Sequence, residues 1–342
     1  MKSRKPIDFS KVIAFTDLHL GAGNNNKRHN EWCESFVKWC IERAEHHGIK
    51  TLLFLGDWSH HRNSVNISTL NYSYRCLRML NSYFDNVIMI LGNHDLYFRD
   101  KLDVHSIPYA AEFANIHVLD KITRWDDFCF VPWLVGDEWK QISKIRQPYV
   151  FCHAEIARFK LNSMIEMPDH GGLRAEHFEH QKLVFSGHFH KRQHKDHILY
   201  IGNAFPHNFS DAGDDDRGIM VWTPGQQPQF EAWPAAPKYR YLTLSQTLLN
   251  PLAHIDNRTF AKVTVDANIS YEEAAFVREL FESQLRALDV SFVNQADDGE
   301  DYDVDDAEVS FESVDSIVIG HLKNIQSTTM DINTLISIYQ SI

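Results

Sequence analysis

The chain has no apolar run of membrane-spanning length, no Cys-x-x-Cys pair and no excess of basic charge. The first absence excludes a spanning helix. The start, Met1-Lys2-Ser3-Arg4-Lys5-Pro6, leads into Asp8 and a short strand rather than an apolar leader. Together these argue against a signal peptide or membrane anchor and for a soluble, cytoplasmic protein. The five cysteines (Cys33, Cys40, Cys76, Cys129 and Cys152) are odd in number, which fits free thiols in a reducing compartment better than disulfides or a zinc site. The net charge of −12 excludes a generally basic, counterion-releasing surface as the main source of affinity for nucleic acid. Eight of the acids sit in residues 297–308, a run without a base that reads as a solvated loop, with charge mimicry or partner docking as the functional alternative.

A length of 342 residues and an apolar fraction of 44% suggest two globular domains, or one large domain with an appendage. Strand-like and helix-like stretches alternate. Residues 11–16, 52–55, 86–91, 149–152, 182–186 and 198–201 read as buried strands. Residues 30–47, with Asn30 as cap and Gly48 as stop, and about 67–84 read as helices. No internal repeat is visible. The alternation indicates a layered α/β domain.

The polar residues fall at the strand ends. Five apolar strands end in Asp17-Leu18-His19, Gly56-Asp57, Gly92-Asn93-His94-Asp95, His153 and Gly187-His188-Phe189-His190. Any one ending is ordinary turn chemistry, but five together are not. Two divalent ions held close together need mixed oxygen and nitrogen ligands, with at least one carboxylate shared between them. Asp57 is placed for the shared role. The Asp-x-His and His-x-His pairs suggest extended chain aiming alternate residues at one ion. Such a pair lowers the pKa of a bridging water and clamps the attacking and leaving oxygens of an in-line phosphoryl displacement. His94 follows a ligand without needing to be one, so it is placed to act as an acid or phosphate donor, with Asp95 fixing its tautomer.

These motifs together resemble the signature of the calcineurin-like metallophosphoesterases, over roughly residues 11–222. The resemblance implies a four-layer α/β/β/α sandwich and a dinuclear site, usually of manganese in the nuclease branch. It implies Asp17, His19 and His190 at one ion, Asn93, His153 and His188 at the other, Asp57 bridging, and His94 as the catalytic histidine. His60 matches a histidine that SbcD-type double-strand-break nucleases use beside the metals. The segment 200–218 is similar to the stretch after the last metal motif in phage SbcD-like recombination nucleases, although Asn203-Ala204-Phe205 departs from the usual Gly-Ser-Pro.

Residues 260–265, 271–288 and 289–293 read as a β-α-β unit, with Ser270 and Glu273 forming a capping box. It looks like the small α+β DNA-capping domain of SbcD-type proteins. Expected boundaries are therefore 1–240 for the nuclease domain, 241–296 for the capping-like domain, and 297–342 for the acidic loop and amphipathic C-terminal helices. Those helices cover the accessory domain or dock an SbcC-type ATPase. Glu155 and Arg158, and Arg192 and His194, are candidates to face a backbone phosphate, as is the His-rich loop with His170, His177 and His180. Trp125, Trp133 and Trp139 read as packing rather than base-stacking residues. The expected function is a manganese-dependent DNA exonuclease and endonuclease subunit of an SbcCD-like recombination and repair complex, phage-encoded, with a dimer through helices near 67–113 implied by the family. The alternatives are a metallophosphatase for a nucleotide or phosphoprotein, and a non-catalytic scaffold of the same fold.

Overall fold

A computed structural model describes residues 6–161, 166–267 and 269–294. All of these lie within one compact unit spanning 1–298. The acidic run from 297 and the expected C-terminal helices lie outside the described residues.

The expected strands form, in chain order, β1 (Val12–Phe15), β2 (Thr51–Phe54) and β3 (Asn86–Ile90), with α1 (Lys27–His47) and α2 (Ile67–Tyr83) between them. These are followed by β4 (Ile116–Leu119), β5 (Thr123–Trp125), β6 (Phe128–Val131), β7 (Tyr149–His153), β8 (Leu183–Gly187), β9 (Gln193–Lys195) and β10 (Ile198–Tyr200). Then come β11 (Gly218–Trp222) and β12 (Gln229–Ala232). They make two six-stranded sheets, ordered β12-β11-β1-β2-β3-β4 and β5-β6-β7-β8-β10-β9.

Four layers follow from where the apolar side chains go. Strands buried on both faces carry continuous apolar runs, because each face needs a cover. Ala14, Leu53 and Ile88 of the first sheet meet Phe130, Phe151 and Phe185 of the second in one core. The opposite face of the first sheet, with Phe15, Phe54 and Met89, packs against Phe36, Val37, Leu77 and Leu80 of the two helices. The outer face of the second sheet, with Val131, Val150 and Val184, is covered by Ile142, Ile156 and Phe178. That fourth layer is built from short 3₁₀ turns, Gly136–Lys144 and Ala175–Phe178, and the loops beside them. All five cysteines are buried and unpaired.

Helix α1 begins four residues earlier than the periodicity suggested. Asn26 is its cap, accepting from the Arg28 and His29 amides. Asn30 is instead buried inside the fold, where it accepts from the Gly21 amide and donates to Thr69. Its stop is as expected: Gly48 has φ 67°, a left-handed turn that suits a residue without a Cβ.

Three further strands, β13 (Lys238–Thr243), β14 (Thr259–Val265) and β15 (Asp289–Asn294), form an all-parallel sheet. Helix α3 (Tyr271–Glu279) connects the last two and starts with the Ser270–Glu273 capping box. It passes into a π-helical turn at Leu280–Gln284, so the α-helix is shorter than its apolar pattern. β13 was not visible in the sequence. It crosses the expected boundary at 240, and its neighbour across the register is β14.

Candidate metal centre

Parallel pairing places the motif residues together. β1, β2 and β3 run parallel and adjacent, and so do β7 and β8, so each group ends along one edge of its sheet. The sheets stack face to face, and the two edges meet.

Several metal-motif side chains are held by partners outside the cluster. The Thr16 hydroxyl donates to Asp17 Oδ2 at 2.7 Å, and the His188 amide donates to the same oxygen at 3.1 Å. His153 Nδ1 donates to the Leu55 carbonyl at 2.7 Å, which leaves Nε2 facing inward. His188 Nε2 faces Glu155 at 3.5 Å and leaves Nδ1 for the site. Glu155 therefore braces His188 rather than facing phosphate. Partners of this kind set the tautomer and basicity of a metal-binding imidazole.

The inward atoms gather in two groups. His153 Nε2 lies 3.0 Å from Asn93 Oδ1, which is itself 3.0 Å from His188 Nδ1. His190 Nε2 lies 3.3 Å from His19 Nε2, which is 3.9 Å from Asp17 Oδ1. Asp57 stands between them. Its Oδ1 accepts from the His94 amide at 2.8 Å. Its Oδ2 lies 3.6 Å from His19 Nε2 and 3.3 Å from His153 Nε2. Carboxylate, amide and imidazole donor atoms thus converge on two points. This mixture of oxygen and nitrogen donors around one shared carboxylate fits two divalent ions.

The backbone is shaped to permit this. Asp17, His19, Asp57 and His188 have φ of 51°, 49°, 59° and 88°. The Asp-x-His pair is therefore not extended chain, as its spacing suggested, but a left-handed turn. Such residues cost about 1–3 kcal/mol each and persist only where the surroundings over-determine them. Here the Asp17 amide donates to the Gly56 carbonyl, and the Leu18 and His19 amides both donate to the Asp57 carbonyl. The motif glycines serve close approach. A Cβ at Gly56 would overlap His153, one at Gly92 would overlap Asp57, and one at Gly187 would overlap Thr16.

His94 sits beside the cluster, its ring centre 4.8 Å from that of His19. Its Nδ1 donates to the His60 carbonyl at 2.7 Å, so Nε2 is the nitrogen left for proton exchange. Asp95 does not touch this ring, contrary to expectation. Its carboxylate accepts from the amides of Asp57, Ser59 and Gly92, tying the second and third motifs together. Burial and the neighbouring Asp57 charge raise its pKa. The His60 ring stacks on His94, and its Nδ1 lies 3.3 Å from His19 Nδ1.

Of the expected phosphate contacts, Arg158 is 3.6 Å from Asp169. Arg192 pairs with Asp216 at 2.8 Å, donates to the Ile201 carbonyl and lies over Phe230. His194 is exposed on β9, opposite Leu199. Trp133 packs on His188 and His153, so its role is to wall the site. Sequence reasoning missed His207, whose ring centre is 5.3 Å from both His19 and His190. It lies in the segment 200–218, likened above to the stretch after the last metal motif, and its distance from the strand ends hid it.

Burial opposes a charge on His153, but the Asp57 and Asp17 carboxylates hold its pKa up at about 9. Burial and the neighbouring histidines push His19 well below its usual range, and burial with His94 takes His60 down to about 3. A cation must therefore displace a proton from His153 below pH 9, whereas His19 is already neutral. Metal affinity is expected to rise with pH between about 7 and 9, by up to about tenfold per pH unit. Calorimetric titration in buffers of different ionisation enthalpy reads the released proton directly. Pure pH independence would contradict the assignment of His153 as a ligand.

These His and Asp clusters could hold metal ions, as a metallophosphoesterase requires. Residues 10–216 match the family described as calcineurin-like phosphoesterase, and the chain belongs to it. The family uses a dinuclear metal centre, and the donor groups just described could bind metal. Among curated proteins the chain is 24% identical over 338 residues to exonuclease subunit 1 of Enterobacteria phage T4, covering 93% of this chain and 94% of that protein. Among solved structures, a nuclease of Pseudomonas putida aligns at 15% identity and TM-score 0.33, covering 63% of this chain and 84% of its own. A dimetal phosphatase from Danio rerio aligns at 9% identity and TM-score 0.37, covering 63% and 92%. Among the described residues no helix is long and apolar enough to cross a membrane.

Proposed function

We propose that the protein is a DNA phosphodiesterase, cutting duplex ends as an exonuclease and single strands as an endonuclease, and that it is the nuclease subunit of an SbcCD-like complex. The observation that carries this reading is Asp57 Oδ2 standing between two donor groups, with His94 beside them on a fixed tautomer. Two divalent ions held there supply an activated water and neutralise charge on the phosphate. The ions proposed are manganese, which accepts this mixture of carboxylate, amide oxygen and imidazole.

The chain's own residues do the rest. Asp17, His19 and His190, and Asn93, His153 and His188, would hold the two ions and so set where a phosphate binds. His94 Nε2 protonates the departing ester oxygen or hydrogen-bonds a non-bridging oxygen. His60 holds the ring that does so. Arg158, exposed and only loosely paired, is the cation best placed to turn toward a neighbouring backbone phosphate; Arg192 and His194 are weaker candidates for that contact.

The name of the phage T4 relative supports the choice of a nuclease and of a partner chain. The proposed partner is an SbcC-type ATPase, and the setting a phage-infected cytoplasm. An apolar stripe of Ile67, Leu70 and Tyr74 stays exposed on α2, with Tyr97 and Phe98 also exposed in the loop after β3. It supports a homodimer through this face. Light scattering should give twice the chain mass, and Ile67→Glu with Tyr74→Glu should give a monomer that keeps its metals. A monomeric wild type would remove the dimer from the proposal.

Purified protein with manganese, end-labelled duplex and circular single-stranded DNA tests the reaction. Release of labelled nucleotides and linearisation of the circle are expected. Rapid turnover of small phosphomonoesters with DNA left intact would instead favour a phosphatase.

A further inference from the structure

We propose that His207 is a positioning residue for the ion held by Asp17, His19 and His190, and that it ties that ion to the three-stranded sheet. The inference rests on the dinuclear centre described above.

The His207 ring donates from Nε2 to the Asp17 backbone carbonyl at 2.9 Å. A carbonyl can only accept, so Nε2 carries the proton. The same ring meets His19 and His190 edge-on, with centres 5.3 Å away in each case. One side chain therefore touches all three ligands that the first ion does not share. The contact with Asp17 matters most, because that residue is in the left-handed region, where its carboxylate direction depends on how its backbone is held.

His207 is itself fixed from two sides. Its amide donates to Asp211 Oδ2 at 2.9 Å, and the Asn203 side chain donates to the same oxygen at 3.0 Å. That oxygen lies 3.9 Å from His190 Nδ1, so Asp211 braces the ligand as well as the loop. On the far side the Tyr239 hydroxyl donates to the His207 carbonyl at 2.7 Å. Tyr239 belongs to β13 and stacks on Phe260 of β14, with ring planes 8° apart. A continuous path thus runs from the three-stranded sheet through Tyr239 and His207 to Asp17. The second ion's ligands are braced elsewhere, His153 by the Leu55 carbonyl and His188 by Glu155.

The two ions should therefore respond unequally. Outer partners of metal ligands typically carry about 10–100-fold in affinity. In His207→Phe, manganese(II) titration should show one ion binding as in the wild type and the other weakened about 10–100-fold. At stoichiometric manganese the electron paramagnetic resonance spectrum should change from a coupled pair to a single ion. His207→Gln, whose amide can still donate toward Asp17, should recover the pair. Tyr239→Phe keeps the stacked ring and loses only the hydroxyl; it should weaken the same ion by less. His207→Phe binding both ions as tightly as the wild type would overturn the proposal. So would equal weakening of both ions with a lower melting temperature of the metal-free protein, which marks a merely structural role. Should His207→Phe not fold, unchanged manganese binding in Tyr239→Phe and His207→Leu would overturn it equally. A wild type that never binds a pair would overturn both this proposal and the dinuclear centre beneath it.

Discussion

Asp57→Asn is expected to yield a folded protein that no longer binds a pair of ions and hydrolyses phosphodiesters at least about a thousandfold more slowly, which is about 4 kcal/mol of lost barrier reduction. The amide preserves the acceptor that Oδ1 presents to the His94 amide, so the motif loop keeps its hydrogen bond. What it removes is the negative oxygen that lies between His19 and His153. Without it the two donor groups share no charge, and neither is complete. Metal analysis and hydrolysis of a generic aryl phosphodiester measure both effects on one sample. Retention of two ions with full activity would show that Asp57 is not the bridge.

His94→Ala is expected to separate binding from chemistry. The side chain contributes its ring to no donor group at the shared carboxylate, and its backbone amide, which does hold Asp57, is kept. Two ions should remain while kcat falls by about 10²–10⁴, the usual yield of a positioned acid or base. Loss of the ions would reassign His94 as a ligand. Asp95→Ala provides the contrast. It would leave the amides of Asp57, Ser59 and Gly92 without their shared acceptor in a buried place, and each such group costs about 1–3 kcal/mol. Its activity loss should therefore come with a lower melting temperature, which His94→Ala should not show.

The residues at the strand ends were legible because the chemistry leaves so few options. Five apolar runs, each stopping at a carboxylate, amide or imidazole, place those groups at parallel strand ends, and the structure brings all seven proposed ligands together. How the chain makes that approach was not legible. Spacing suggested extended geometry for Asp17-x-His19, but the turn is left-handed and held by amides donating to Gly56 and Asp57, contacts with no sequence signature. Asp95 looked like the partner of its neighbour His94, yet the sharp turn points it at backbone amides instead. Asn30 had the chemistry of a cap and is a buried crosslink, because Asn26 had the same chemistry four residues earlier. Arg192 reads as a phosphate-binding cation until Asp216 and Phe230, distant in sequence, are seen to occupy it. His207 was hidden for the same reason: its partners lie just past β1, just past β8 and in β13.

Anomalous scattering from crystals grown with manganese tests the centre most directly. Two peaks about 3.5–4 Å apart are expected, one among Asp17, His19 and His190, the other among Asn93, His153 and His188, with an Asp57 oxygen between them. A single peak, or peaks remote from these residues, would contradict it.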